Sequence, residues 1–133
     1  MTAFVDASAI AAILLDETDA ADLFARIQAR APCRTSPLAI WETVRAVSRE
    51  RHVTIEAAQA TVERLLQIAA IEVAPVAAEV RHLALEAHAR FGKGRHPAAL
   101  NFGDCFAYAC ARHARVPMLY KGDDFALTDI EPA

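Results

Sequence analysis

The chain has only three cysteines, Cys33, Cys105 and Cys110, an odd number without a CxxC pair. That argues against a disulfide framework or a zinc ribbon and for reduced thiols. Its five histidines are scattered; His82 and His88 stand six residues apart and share no helix face, so no zinc donor set is spaced along the chain. No GxxxxGK[ST] pattern occurs, which excludes a P-loop. The N-terminus lacks a basic stretch, Asp6 interrupts the first apolar run, and the longest clean run reaches only from Ala9 to Leu15. A membrane helix needs roughly 20 apolar residues, so a soluble, cytoplasmic protein with no membrane partner is expected. Positive charge is also scarce: the formal net charge of −3 argues against a protein that coats nucleic acid through bulk charge. It leaves room for a nuclease, whose acidic centre lowers the sum while basic loops hold the substrate.

At 133 residues the chain suits one domain spanning residues 1–133, large enough to bury a core without staples. Apolar residues make up 55%, rich in alanine, as close-packed helices or a sheet covered on both faces would require. Short β-type runs alternate with helical ones. Residues 3–5 read as a strand ending at Asp6, 7–15 as a buried helix, and a helix capped near Thr18 or Asp19 closes before Pro32. Residues 33–35 form a weak strand candidate. Ser36-Pro37 starts a third helix, Thr54 caps a fourth, and 71–73 read as a strand. Pro75 is expected to open another helix, which Gly92-Lys93-Gly94 ends. After a loop to Leu100, Asn101 caps a helix to about His113; 116–120 then read as a strand and 128–130 as a short last one. This alternation implies an α/β fold with a parallel sheet sandwiched by helices, where ligands sit beyond the carboxyl ends of the strands.

Carboxylates stand at element boundaries in apolar surroundings: Asp6, Glu42, Asp104 and the pair Asp123-Asp124. Each has a simple structural explanation taken alone. Asp6 suits an N-cap, Glu42 an ion pair with Arg45, Asp104 a capping box with Asn101, and Asp123-Asp124 a turn. Jointly they map to one rim of a parallel sheet. Clustered carboxylates repel one another and are relieved by a hard divalent cation such as Mg2+ or Mn2+, the arrangement phosphodiester hydrolysis uses. Ser8 either caps or holds a water near such an ion. Between residues 81 and 96 four cations, Arg81, Arg90, Lys93 and Arg95, oppose Glu86, a local formal charge of +3. Lys93 and Arg95 lie in the glycine-containing loop just before Asn101, where they suit contacts with a phosphate-bearing substrate strand.

With these residues in view, the chain resembles a PIN-domain protein of the VapC toxin type. The likeness rests on Phe4-Val5-Asp6-Ala7-Ser8, on Glu42, on the stretch from Gly92 through Asn101-Phe102-Gly103-Asp104-Cys105 to Tyr108, and on Leu119 to Phe125 followed by Thr128-Asp129-Ile130. The resemblance implies an α/β/α sandwich with a short, mainly parallel central sheet and a Mg2+- or Mn2+-dependent endoribonuclease. It further implies a homodimer inhibited by a cognate antitoxin whose tail occupies the active-site groove. By position, Asp6 and Asp104 become the principal metal ligands and Glu42 completes the first site. Asp123 is favoured as the fourth acid, with Asp124 ordering the turn. Asn101 orients Asp104 and borders the site, and Lys121 is a further candidate for gripping RNA. Ala7 stands where relatives commonly carry a hydroxyl, leaving any such role to Ser8.

Two rivals from other classes fit less well. A phosphoacceptor signalling domain needs an Asp ending the middle strand, where Ala74-Pro75 stands. A phosphatase with a nucleophilic Asp6 needs a second acid at the position of Ser8. A non-catalytic RNA- or protein-binding domain of the same fold is the remaining alternative.

Overall fold

The computed structural model describes residues 2–133. The elements run β1 (Phe4–Val5), α1 (Ala7–Leu14), α2 (Ala20–Ala29), β2 (Cys33–Thr35), α3 (Pro37–Arg51), α4 (Ile55–Ile68), β3 (Ile71–Val73), α5 (Val80–Phe91), α6 (Phe102–Ala114) and β4 (Met118–Leu119). The four strands order β3-β2-β1-β4, every neighbouring pair parallel. β1 and β4 are two residues long, so pleat alternation assigns each strand one side chain per face. Phe4 and Met118 pack with Ala87 and Phe91 of α5 and Cys105, Tyr108 and Ala111 of α6. Val5 and Leu119 pack with Ile10, Ile27, Val44, Val62 and Leu66 of α1–α4. The alternation alone thus sorts the helices into two layers, four on one face and two on the other, the α/β/α sandwich expected. No helix is long and apolar enough to cross a membrane among the described residues.

Helix starts follow the capping chemistry. The Ser36 and Thr54 hydroxyls accept from the N–H groups of Ala39 and Ala57, each at 3.1 Å, and Pro37 occupies the first position of α3. Thr35 Oγ1 donates to the Val5 carbonyl at 2.8 Å, pinning the carboxyl end of β2 to that of β1.

The structure corrects three expectations. α5 begins at Val80, not at Pro75. Ala74 N–H still donates to the Thr35 carbonyl, at 2.9 Å, so the chain stays extended beside β2 past the end of β3, and a turn at residues 78–79 precedes the helix. Residues 128–130 form no strand. Asp129 is drawn off by Tyr108, Arg90 and Arg112, and Glu131 and Ala133 pair with Met118 in their place (Met118 N–H to Glu131 O 2.8 Å, Ala133 N–H to Met118 O 2.8 Å). Finally, Arg45 does not pair with Glu42; its guanidinium lies over the Trp41 ring, 4.8 Å from the centroid. The three thiols are free, as expected.

Candidate active site

Because all four strands run parallel, their carboxyl ends share one edge. β1 delivers Asp6 there, held by its N–H to the Leu119 carbonyl of β4 at 3.0 Å. β2 leads through Thr35 and Ser36 into α3, whose second turn carries Glu42. α3 also packs on α6, the helix that begins with Asp104 in its first turn. Residues 92–100 fold back on themselves: Lys93 N–H donates to the Leu100 carbonyl (2.9 Å) and Leu100 N–H to the Phe91 carbonyl (3.0 Å), with Gly94 turning the chain at φ +85°. That clip brings Asn101 to the start of α6.

The two aspartates have capping roles as well. The Asp6 carboxylate accepts from Ser8 N–H at 3.0 Å and Ser8 Oγ–H at 2.6 Å, both on Oδ2, while Ser8 Oγ accepts from Lys121 N–H at 3.0 Å. One hydroxyl therefore ties the ends of β1 and β4 together and orients Asp6. Asn101 Oδ1 accepts from Asp104 N–H (2.9 Å) and Asp104 Oδ2 accepts from Asn101 N–H (3.1 Å), a complete capping box. Both aspartates keep their other oxygen outside these bonds. Glu42 takes no part in a hydrogen bond or ion pair among the described residues, and its carboxylate rests against Gly103. A methyl carbon built there would lie 2.5 Å from Oε1.

The electrostatics unite the three. Asp6 is only 5% exposed, and burial raises its pKa against the lowering effect of Ser8. Glu42 is pushed up to about 7, first by burial and then by the charges of Asp6 and Asp104. Asp104 is pushed up to about 6 by burial, opposed by its bond from Asn101 and reinforced by Asp6 and Asp124. The acids act on one another electrostatically without being drawn into a cage: no three Asp, Glu, His or Cys side chains close around a common point among the described residues. These two observations agree if like charges hold the acids slightly apart. Asp6 acts on both Glu42 and Asp104, and Asp104 acts on Glu42, as charges within a short distance of one another do.

The PIN domain family profile matches residues 3–131. The chain belongs to the PIN-domain family. Among its relatives, ribonuclease VapC28 of Mycobacterium tuberculosis is 41% identical over 133 residues, covering 97% of this chain and 96% of that protein. VapC ribonuclease R02377 of Rhizobium meliloti is 37% identical over 139 residues, covering 96% and 98%. The crystal structure of Mycobacterium tuberculosis VapC20, described as a sarcin-ricin loop cleaving toxin, superimposes with a TM-score of 0.75 at 20% identity, covering 99% of this chain and 98% of that one. At that identity the superposition speaks for the fold.

In this PIN domain the charge of Asp124, in the last loop, adds to the rise at Asp104; Asp123, favoured from the sequence, is not among the charges acting there. Asp124 stands at the N-cap of the 3-10 turn at Phe125–Leu127, where its carbonyl accepts from Leu127 N–H at 3.2 Å and its side chain makes no capping bond. Lys121 pairs with Glu17 and with Asp19 at 3.2 Å. Lys93 and Arg95 are exposed on the clip loop and make no ion pair among the described residues. Neither is among the charges that act on Glu42 or Asp104. Sequence reasoning missed Gly103. Its signal was a glycine within the first turn of a helix, where helix propensity disfavours it and close approach of another group is the usual reason.

Proposed function

We propose that this protein is a divalent-metal-dependent endoribonuclease, the toxin of a toxin–antitoxin pair. One observation carries the reading: at the carboxyl edge of a parallel sheet, burial raises the pKa of Asp6, Glu42 and Asp104, the charge of Asp6 adds to the rise at both of the others, and that of Asp104 adds to the rise at Glu42. The VapC ribonucleases among its relatives supply the reaction class.

The donor set suits a hard cation. It is all oxygen, carries at least three negative charges, and contains no histidine or thiolate. Asp6, Asp104 and Glu42 would hold Mg2+ or Mn2+, with Asp124 as the fourth acid in preference to Asp123. When bound, such an ion screens the phosphate and lowers the pKa of a coordinated water. The chain's own groups do the rest. Ser8 and Asn101 orient the two aspartates, and Gly103 leaves room for the Glu42 carboxylate. Lys93 and Arg95, on the clip loop, neutralise flanking phosphates of the RNA. A homodimer, a cognate antitoxin and a cytoplasmic location accompany this reading through the family likeness.

The test is cleavage of structured RNAs by purified protein with Mg2+ or Mn2+, with EDTA, and with Asp6→Asn. Cutting that requires the metal and fails in the variant supports the proposal. RNA binding without cutting in any metal favours the non-catalytic alternative.

A further inference from the structure

Next to the acids lies a cavity of about 390 Å3 lined by Leu38, Trp41, Glu42, Asn101, Phe102 and Gly103. Its size falls within the range of small-ligand pockets, about 300–1,000 Å3. Trp41 is 61% exposed and Phe102 72%, although large aromatics usually bury most of their surface. Both rings are braced from outside the cavity. Arg45 lies over Trp41 and lines the adjoining hollow that shares this ring, while Phe106 packs on Phe102 with centroids 5.0 Å apart. Two supported, solvent-facing rings beside an acid cluster are a stacking platform.

We propose that Trp41 and Phe102 form a nucleobase subsite that takes an unpaired base of single-stranded RNA next to the phosphate at the acids. The inference rests on the nuclease reading above and narrows it to unpaired RNA. Contiguity decides the occupant. Glu42 belongs both to the acid cluster and to the cavity wall, so a strand whose phosphate reaches Asp6 and Asp104 must run past the two rings. Asn101 uses its Oδ1 on Asp104, which leaves its amide N–H donors for a base edge. Stacking accepts any base, so the subsite selects for unpaired structure more than for sequence.

The test uses Trp41, the sole tryptophan of the chain. Wild-type protein in Ca2+ is titrated with a mixed-sequence single-stranded oligoribonucleotide and with an abasic ribose–phosphate oligomer of equal length. Trp41 emission and anisotropy of the labelled oligomers are both recorded. The base-bearing RNA should quench Trp41 saturably and the abasic chain should not. Phe102→Ala should weaken RNA binding about 5- to 150-fold with an unchanged salt slope, and Trp41→Phe should retain more affinity than Trp41→Ala. Equal quenching by the abasic chain overturns the proposal, as does RNA binding that leaves Trp41 unaffected. Emission that follows protein concentration and not RNA assigns the face to a second copy. A shift produced only by an apolar helical peptide assigns it to a protein partner. Cleavage in Mn2+, read in parallel, separates the two readings. Wild-type cutting with an unchanged KM in Phe102→Ala sinks the base subsite alone; base-dependent quenching without cutting sinks the nuclease alone.

Discussion

Gly103→Ala should disable the site while leaving the fold intact. Gly103 lies in the first turn of α6, and a methyl carbon there would stand 2.5 Å from Glu42 Oε1 and 2.6 Å from its Cδ. Ordinary contact between such atoms is about 3.5 Å or more, so the carboxylate must retreat by roughly 1 Å. Glu42 is the end of a long side chain on the cavity rim, and it yields more readily than the helix does. The helix itself gains, because alanine is favoured over glycine by roughly 0.5–1 kcal/mol. A 1 Å displacement of a positioning group is worth about 100-fold in rate. RNA cleavage in Mn2+ should therefore fall about 100-fold, with an unfolding temperature equal to or above that of the wild type. Wild-type cleavage by Gly103→Ala would show that Glu42 does not act from its observed position. Lost activity accompanied by a lower unfolding temperature would point to a packing role for the glycine.

Three further outcomes follow from the same geometry. Asp124→Asn should slow cleavage about tenfold, the equivalent of about 1.4 kcal/mol, and Asp123→Asn should not; the reverse order would return the fourth acid to Asp123. Without a divalent ion, Glu42 (ordinarily 4.5, here about 7) and Asp104 (ordinarily 3.8, here about 6) bind protons more tightly in the folded state than in the unfolded one. Stability should therefore fall as pH rises from about 4 to about 7, by about 2 kcal/mol after allowing for solvent screening. Mn2+ should restore it, Glu42→Gln should flatten the slope, and stability unchanged between pH 4.5 and 7.5 in EDTA would contradict the raised pKa values that burial and the neighbouring charges produce. Asp129→Ala should cost about 1–3 kcal/mol, chiefly by stranding the hydroxyl of the buried Tyr108, which donates to Asp129 at 2.6 Å. The exposed pairs of Asp129 with Arg90 and Arg112 add little, so Tyr108→Phe should abolish most of that cost.

Much of this architecture is legible in the sequence because local chemistry agrees with tertiary context. Ser36-Pro37, Thr54 and the Asn101–Asp104 box mark helix starts that the folded chain uses. Where the expectations failed, a long-range partner prevailed. Pro75 could start a helix, but Ala74 pairs with Thr35 across the sheet. Thr128-Asp129-Ile130 could form a strand, but Asp129 meets three side chains from two helices. The choice between Asp123 and Asp124 turns on how the loop after β4 leaves the sheet, which no spacing encodes. Gly103 and the Trp41–Phe102 cavity depend on how α3 meets α6, two helices far apart in the chain.

The central claim is that Asp6, Glu42 and Asp104 converge on a divalent ion. Calorimetric titration of Mn2+ into the metal-free protein at pH 6.5, in two buffers of different ionisation heat, tests it most directly. Saturable binding with net proton release is predicted, since Glu42 and Asp104 are partly protonated there, and Asp104→Asn should weaken binding at least about tenfold, or about 1.4 kcal/mol. Absence of binding to the wild type, or equal affinity in the variant, would contradict it.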